Sequence, residues 1–97
     1  MKKDEIFSTR DIYLASTLIT LGFKINGIDF QVEGMKGLPV GYFLFPATHD
    51  LFAAEAKYWQ GDIAIDPRVF ITNMKGLKAQ VNNVYKSPRN DYNSYKR

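Results

Sequence analysis

The chain of 97 residues is 45% hydrophobic and 14% aromatic, which suits one hydrophobic core and argues against a disordered segment. Its net charge of +3 is unevenly spread: residues 1–66 hold six Lys and Arg against nine Asp and Glu, and residues 67–97 hold seven against Asp91 alone. No cysteine is present, which excludes a disulfide framework, a thiol nucleophile and a cysteine-based zinc site and makes an intracellular, cytoplasmic protein the expectation.

At the start, Met1-Lys2-Lys3-Asp4-Glu5 leads into a helical pattern and not into an apolar secretory segment. Ser8-Thr9-Arg10-Asp11 reads as a helix start, with Ser8 capping the free amides and Asp11 completing a short capping box. Ile12, Ala15, Leu18 and Ile19 recur at helical spacing, Leu14 and Leu21 widen the apolar face, and Gly22 stands where a left-handed cap is expected. The spacing predicts a helix over residues 9–21. Phe23, Ile25, Ile28, Phe30 and Val32 alternate with polar neighbours, which predicts a strand over residues 23–32. Its phase slips at Asn26-Gly27, as at a bulge or a tight turn. Two glycines and a proline mark residues 34–39 as a loop. Val40-Gly41-Tyr42-Phe43-Leu44-Phe45 is a second, more hydrophobic strand ended by Pro46. The connection is too short for a parallel crossover, so the two strands pair antiparallel. No apolar run reaches the roughly 20 residues that would span a bilayer.

Thr48 is the expected cap of a second helix, with Asp50 in its first turn and Gly61 at its end. Phe52, Ala56 and Trp59 lie on one face of it, which assigns Trp59 to the core and leaves Tyr58 nearer the surface. Asp66-Pro67 starts a third helix, cap then proline at the first helical position. Phe70, Met74, Leu77, Val81 and Val84 form its apolar stripe, and Ser87-Pro88 is the expected stop. The fold class is therefore α+β: one small domain over residues 1–86 in the order α-β-β-α-α, an antiparallel hairpin covered by helices. Residues 87–97 are expected to be a flexible, basic tail.

On the third helix the apolar stripe spans about 160° to 240° at 100° per residue, counted from Arg68. Arg68, Lys75, Lys78 and Lys86 fall on the opposite side, between about 280° and 0°, with Asn82 among them. Arg89, Tyr92, Tyr95, Lys96 and Arg97 continue this strip into the tail. Cations on a helix followed by an arm with stackable rings suit a phosphate backbone with exposed bases, so these nine cationic and tyrosine residues are the candidate nucleic-acid contacts. The same pattern also arises when Lys and Arg simply solvate the outer face of an amphipathic helix.

Other features carry less chemistry. His49 is the only histidine, and Asp50, Glu55, Asp62 and Asp66 stand at no recognised metal spacing from it; helix caps and dipole partners account for those acids. Gly34-Met35-Lys36-Gly37 has the GxxG form of a KH loop but joins two strands, whereas a KH loop joins two helices. No catalytic set, cofactor, metal or small-molecule substrate is expected, and the chain reads as a binding protein and not an enzyme.

Phe7-Ser8-Thr9-Arg10-Asp11-Ile12-Tyr13-Leu14-Ala15, the strand Phe43-Leu44-Phe45, and Asp66-Pro67-Arg68-Val69-Phe70 with Leu77-Lys78 together resemble a family of phage and bacterial proteins with a domain of unknown function. Its members open on F-S-T-x-D-x-x-L-A, and the resemblance covers residues 7–85, departing in the longer loop from Gly34 to Leu38. It implies a phage or mobile-element setting and a binding role, and it supplies no catalytic residue. The expectation is an accessory nucleic-acid-binding protein, with a protein-interaction module, an inhibitor of a host complex or a self-associating subunit, as the alternative.

Overall fold

Asp11, and not Ser8, starts the first helix. Its carboxylate accepts from the amides of Tyr13 at 2.9 Å and Leu14 at 3.2 Å, and its own amide donates to the Thr9 hydroxyl at 3.1 Å. The computed structural model describes residues 5–33 and 38–93, with 33, 38 and 84–93 described by backbone alone. The elements are β1 (Ile6–Thr9), α1 (Ile12–Thr20), β2 (Gly27–Glu33), β3 (Leu38–Pro46), α2 (His49–Gln60) and α3 (Pro67–Asn93). The fold is α+β, and the α-β-β-α-α order is present with one short strand ahead of it.

That strand is the main departure from the sequence reading. Residues 6–9, expected to enter the helix, pair antiparallel with β3, Phe7 opposite Phe45 and Thr9 opposite Phe43. β2 pairs with the other side of β3, Ile28 opposite Phe43 and Phe30 opposite Gly41, so the sheet order is β1-β3-β2. The most hydrophobic strand thus lies in the centre. Phe23 to Asn26 form an extended approach to β2 and not its first half, although the Asn26 amide already reaches the Leu44 carbonyl at 2.6 Å. Gly41 lies in a tight spot, since a Cβ there would stand 3.1 Å from the Phe30 ring and 3.3 Å from Ile28, and those side chains would have to give by a few tenths of an ångström.

The pleat sends Phe43 and Phe45 to the helical side of the sheet, where they join Leu14, Ala15, Leu18, Leu51 and Leu77 in one core. α1 is enclosed: positions 14–18 are all buried, and five consecutive helical residues face every direction. Small side chains make this possible. Ser16 and Thr17 are buried within α1, Thr17 returning its hydroxyl to the Tyr13 carbonyl at 2.8 Å. The helix ends in a Schellman turn, with Gly22 at φ +107° and the Phe23 amide donating to the Leu18 carbonyl. α2 follows its expected bounds, capped by the Thr48 hydroxyl on the Leu51 amide at 3.1 Å and closed by Gly61 at φ +77°.

The Asp66 carboxylate caps α3 at the Arg68 amide, 2.9 Å away. The helix does not stop at Ser87-Pro88 but continues to Asn93, so part of the segment expected as a flexible tail is helical. Pro88 removes one amide donor from the ladder, but its fixed φ of about −65° is itself helical. At 1.5 Å per residue α3 is about 40 Å long, against a longest molecular extent of 48 Å.

The helix start gives a direct test. Asp11→Ala should lower stability by about 1 kcal/mol through loss of the cap, whereas Ser8→Ala, at an exposed strand position, should stay within about 0.5 kcal/mol. Urea denaturation followed by circular dichroism distinguishes the two, and the reverse order would restore Ser8 as the cap.

Candidate nucleic-acid interface

The rotation of α3 decides which of its side chains meet solvent. Leu77 is buried against the core, Phe70, Met74 and Val81 are half-buried, and Asn73 donates from Nδ2 to the Thr20 hydroxyl of α1 at 3.0 Å. The apolar stripe read from the sequence is thus the docked face over residues 70–81. Lys75, Lys78 and Asn82 are consequently exposed, as is Arg68, and no acidic residue interrupts α3 before Asp91. Arg68 stands apart from the two lysines: its Nε lies 3.6 Å from the Asp66 carboxylate, so the helix cap offsets part of its charge. Lys86, Arg89 and Tyr92 fall on α3 beyond the residues with described side chains, and Tyr95, Lys96 and Arg97 lie outside the described residues.

The fold adds a cation that sequence reasoning had used only as filler in the helix start. Because β1 pairs with β3, the β1–α1 junction comes up against α3, and Arg10 lines a groove of ≈ 370 Å³ with Lys78 and Asn82. Ile12, Val40, Gly41, Phe43 and Val81 complete its lining, and Arg10 and Lys78 are its charged members. Lys78 and Asn82 are one helical turn apart and so share a face. The signal that could have revealed Arg10 was the alternation of Phe7 and Thr9 before it, a strand pattern hidden by the cap-like Ser8.

The second helix presents a different surface. Its docked face is Leu51, fully buried, with Ala54 and Tyr58 half-buried beside it. Phe52 is 41% exposed and Trp59 62% exposed, so the assignment of Trp59 to the core is overturned, and its order relative to Tyr58 is reversed. Two apolar sets compete on α2, one residue out of phase, and docking against α1 selects the set containing Leu51. Phe52 meets the Phe7 ring edge-on at 5.9 Å, Trp59 meets Tyr58 edge-on at 4.9 Å, and the indole N–H donates to Glu55 at 3.2 Å. Burial holds the Tyr58 hydroxyl above the ordinary tyrosine range, with smaller contributions from the charge of Asp11 and from Tyr13.

His49 is the exposed first residue of α2, and among the described residues no three of His, Asp and Glu are grouped to hold a metal. The Gly34-Met35-Lys36-Gly37 loop lies outside the described residues. Among the described residues no helix is long and apolar enough to cross a membrane. No protein-family model, no curated protein and no solved structure matches the chain.

The single tryptophan reports on the phase of α2. Its emission should be close to that of tryptophan in water and readily quenched by acrylamide. Trp59→Ala should lower stability by no more than about 1.5 kcal/mol, through its ring contact with Tyr58, whereas Leu51→Ala should cost about 2–5 kcal/mol. A blue-shifted, protected indole would place Trp59 back in the core.

Proposed function

We propose that the protein is a non-catalytic nucleic-acid-binding protein that contacts the phosphate backbone along the exposed face of α3. The observation that carries this reading is the pair Lys75 and Lys78, exposed on a helix of about 40 Å whose docked face points the opposite way. Arg10, brought alongside Lys78 by the β1–β3 pairing, enlarges the positive surface beyond α3 itself. Lys86, Arg89, Tyr92, Tyr95, Lys96 and Arg97 extend the same role, cations neutralising phosphates and rings stacking on bases. The resemblance to the phage and bacterial family supports an accessory role in a phage or mobile-element setting.

Binding of this kind releases counterions, so affinity for a single-stranded oligonucleotide should fall about 20- to 50-fold as salt rises fourfold, for three or four contacted phosphates. Lys75→Gln combined with Lys78→Gln should weaken binding and lower the salt slope by about one or two, with little change in sequence preference. Fluorescence anisotropy at two salt concentrations measures both. Affinity indifferent to salt, or to the double substitution, would sink the proposal.

A second reading, self-association through α2, is favoured by the exposed face of Phe52, Ala56 and Trp59. β3 is the central strand, paired with β2 over Leu38 to Leu44 and with β1 over Phe43 to Pro46, so the edges of the sheet are β1 and β2. If α2 mediates a dimer, light scattering should give twice the monomer mass and Trp59→Glu should restore the monomer; a monomer at all accessible concentrations removes this reading.

A further inference from the structure

The geometry points to a discrete phosphate-ester site in the groove between the β1–α1 junction and α3, with Arg10, Lys78 and Asn82 as its polar contacts. The inference rests on the nucleic-acid reading for its biological ligand, yet the site is a separate claim, because a smooth basic surface needs no groove. Three observations place it. Arg10 and Lys78 come from segments 68 residues apart in the chain, yet line the same ≈ 370 Å³ space. Asn82, one turn beyond Lys78, adds an amide donor on the same helical face. Ile12, Val40 and Val81 line the same groove, so the polar groups stand around an apolar lining.

Each group has a distinct part. The Arg10 guanidinium is a planar fork that matches two phosphate oxygens, and Lys78 supplies a mobile point charge. The Asn82 amide donates to an ester or sugar oxygen. Val40, Phe43 and Val81 provide apolar lining, which gives the sugar a surface to lie on. The volume falls within the range of small-ligand sites and exceeds what one inorganic ion would fill. The ligand class is therefore a phosphate carrying a sugar: one nucleotide unit of a strand, or a free nucleoside monophosphate.

Two-dimensional amide NMR of the full chain tests this, with inorganic phosphate, thymidine monophosphate and thymidine as probes. Thymidine monophosphate should move the signals of Ile12, Gly41, Lys78 and the Asn82 side chain together and saturate, phosphate should move the same signals more weakly, and thymidine should leave them unmoved. Arg10→Gln should weaken the monophosphate titration by roughly tenfold or more, with Arg10→Lys intermediate because it keeps the charge and loses the fork. Lys75→Gln, outside the groove, should leave that titration unchanged while weakening oligonucleotide binding. Arg10 is exposed, and an undisturbed spectrum of the Gln variant establishes that its fold is intact; Lys78→Gln repeats the test from the other wall. Non-saturating shifts spread equally over Arg68 and Lys75, or an Arg10→Gln variant that titrates as the parent does, overturn the site. If oligonucleotides still bind in that case, the broader reading survives without the groove. Saturable monophosphate binding with no oligonucleotide binding supports the site and overturns the reading of a strand as its ligand.

Discussion

The burial of α1 on every side is the constraint on which the rest of the structure depends. A helix with positions 14–18 all enclosed packs against α2, α3 and the sheet residues Phe43 and Phe45. Its middle is therefore built from Ala15, Ser16 and Thr17, residues small enough for neighbours to approach the backbone. Among the described residues the buried Ser16 hydroxyl has no hydrogen-bond partner; its small size is the property its surroundings use. Thr20 carries the arrangement outward, since its hydroxyl donates to the Ser16 carbonyl and accepts from Asn73 of α3. The rotation of α3, and with it the direction in which Lys75 and Lys78 face, follows from how α1 is filled.

Elements defined by local chemistry were legible in the sequence. Thr48 with Gly61, and Asp66 with Pro67, set helix limits through hydrogen bonds within a few residues of each other, and the structure places those bonds as expected. The hairpin was legible for the same reason, as its two strands are joined by one short loop. β1 was not. Four residues carry too little pattern to declare a strand, and Ser8 has the chemistry of a cap. What makes it a strand is a partner about 38 residues further along, and no local rule contains that information.

The candidate site divides along the same line. The stripe of α3 fixed which lysines are exposed, because a helix phase is a local property once one face is buried. The phase of α2 was ambiguous, since Leu51-Ala54-Tyr58 and Phe52-Ala56-Trp59 are both plausible apolar faces, and the choice is made by the shape of α1 and not by hydrophobicity. The aromatic face left outside is the result. For Arg10 the sequence offered only the short alternation of Phe7 and Thr9, because its place beside Lys78 follows from the long-range pairing of β1 with β3.

That pairing has a consequence for the order in which the molecule can be assembled. Phe7 is synthesised about 38 residues ahead of Phe45, which at about 5–20 residues per second is a delay of roughly 2–8 s, whereas hairpins close in about 1–10 μs. β2 and β3 can therefore pair as soon as both exist, with β1 already waiting to take the other side of β3 over Phe43 to Pro46. The segment from Val40 to Phe45 contains no charge and no proline, the composition that stacks between chains when its edge is left open, and β1 covers its Phe43-Leu44-Phe45 end. The placement of β1 ahead of α1 means that the guard strand is made before the strand it protects.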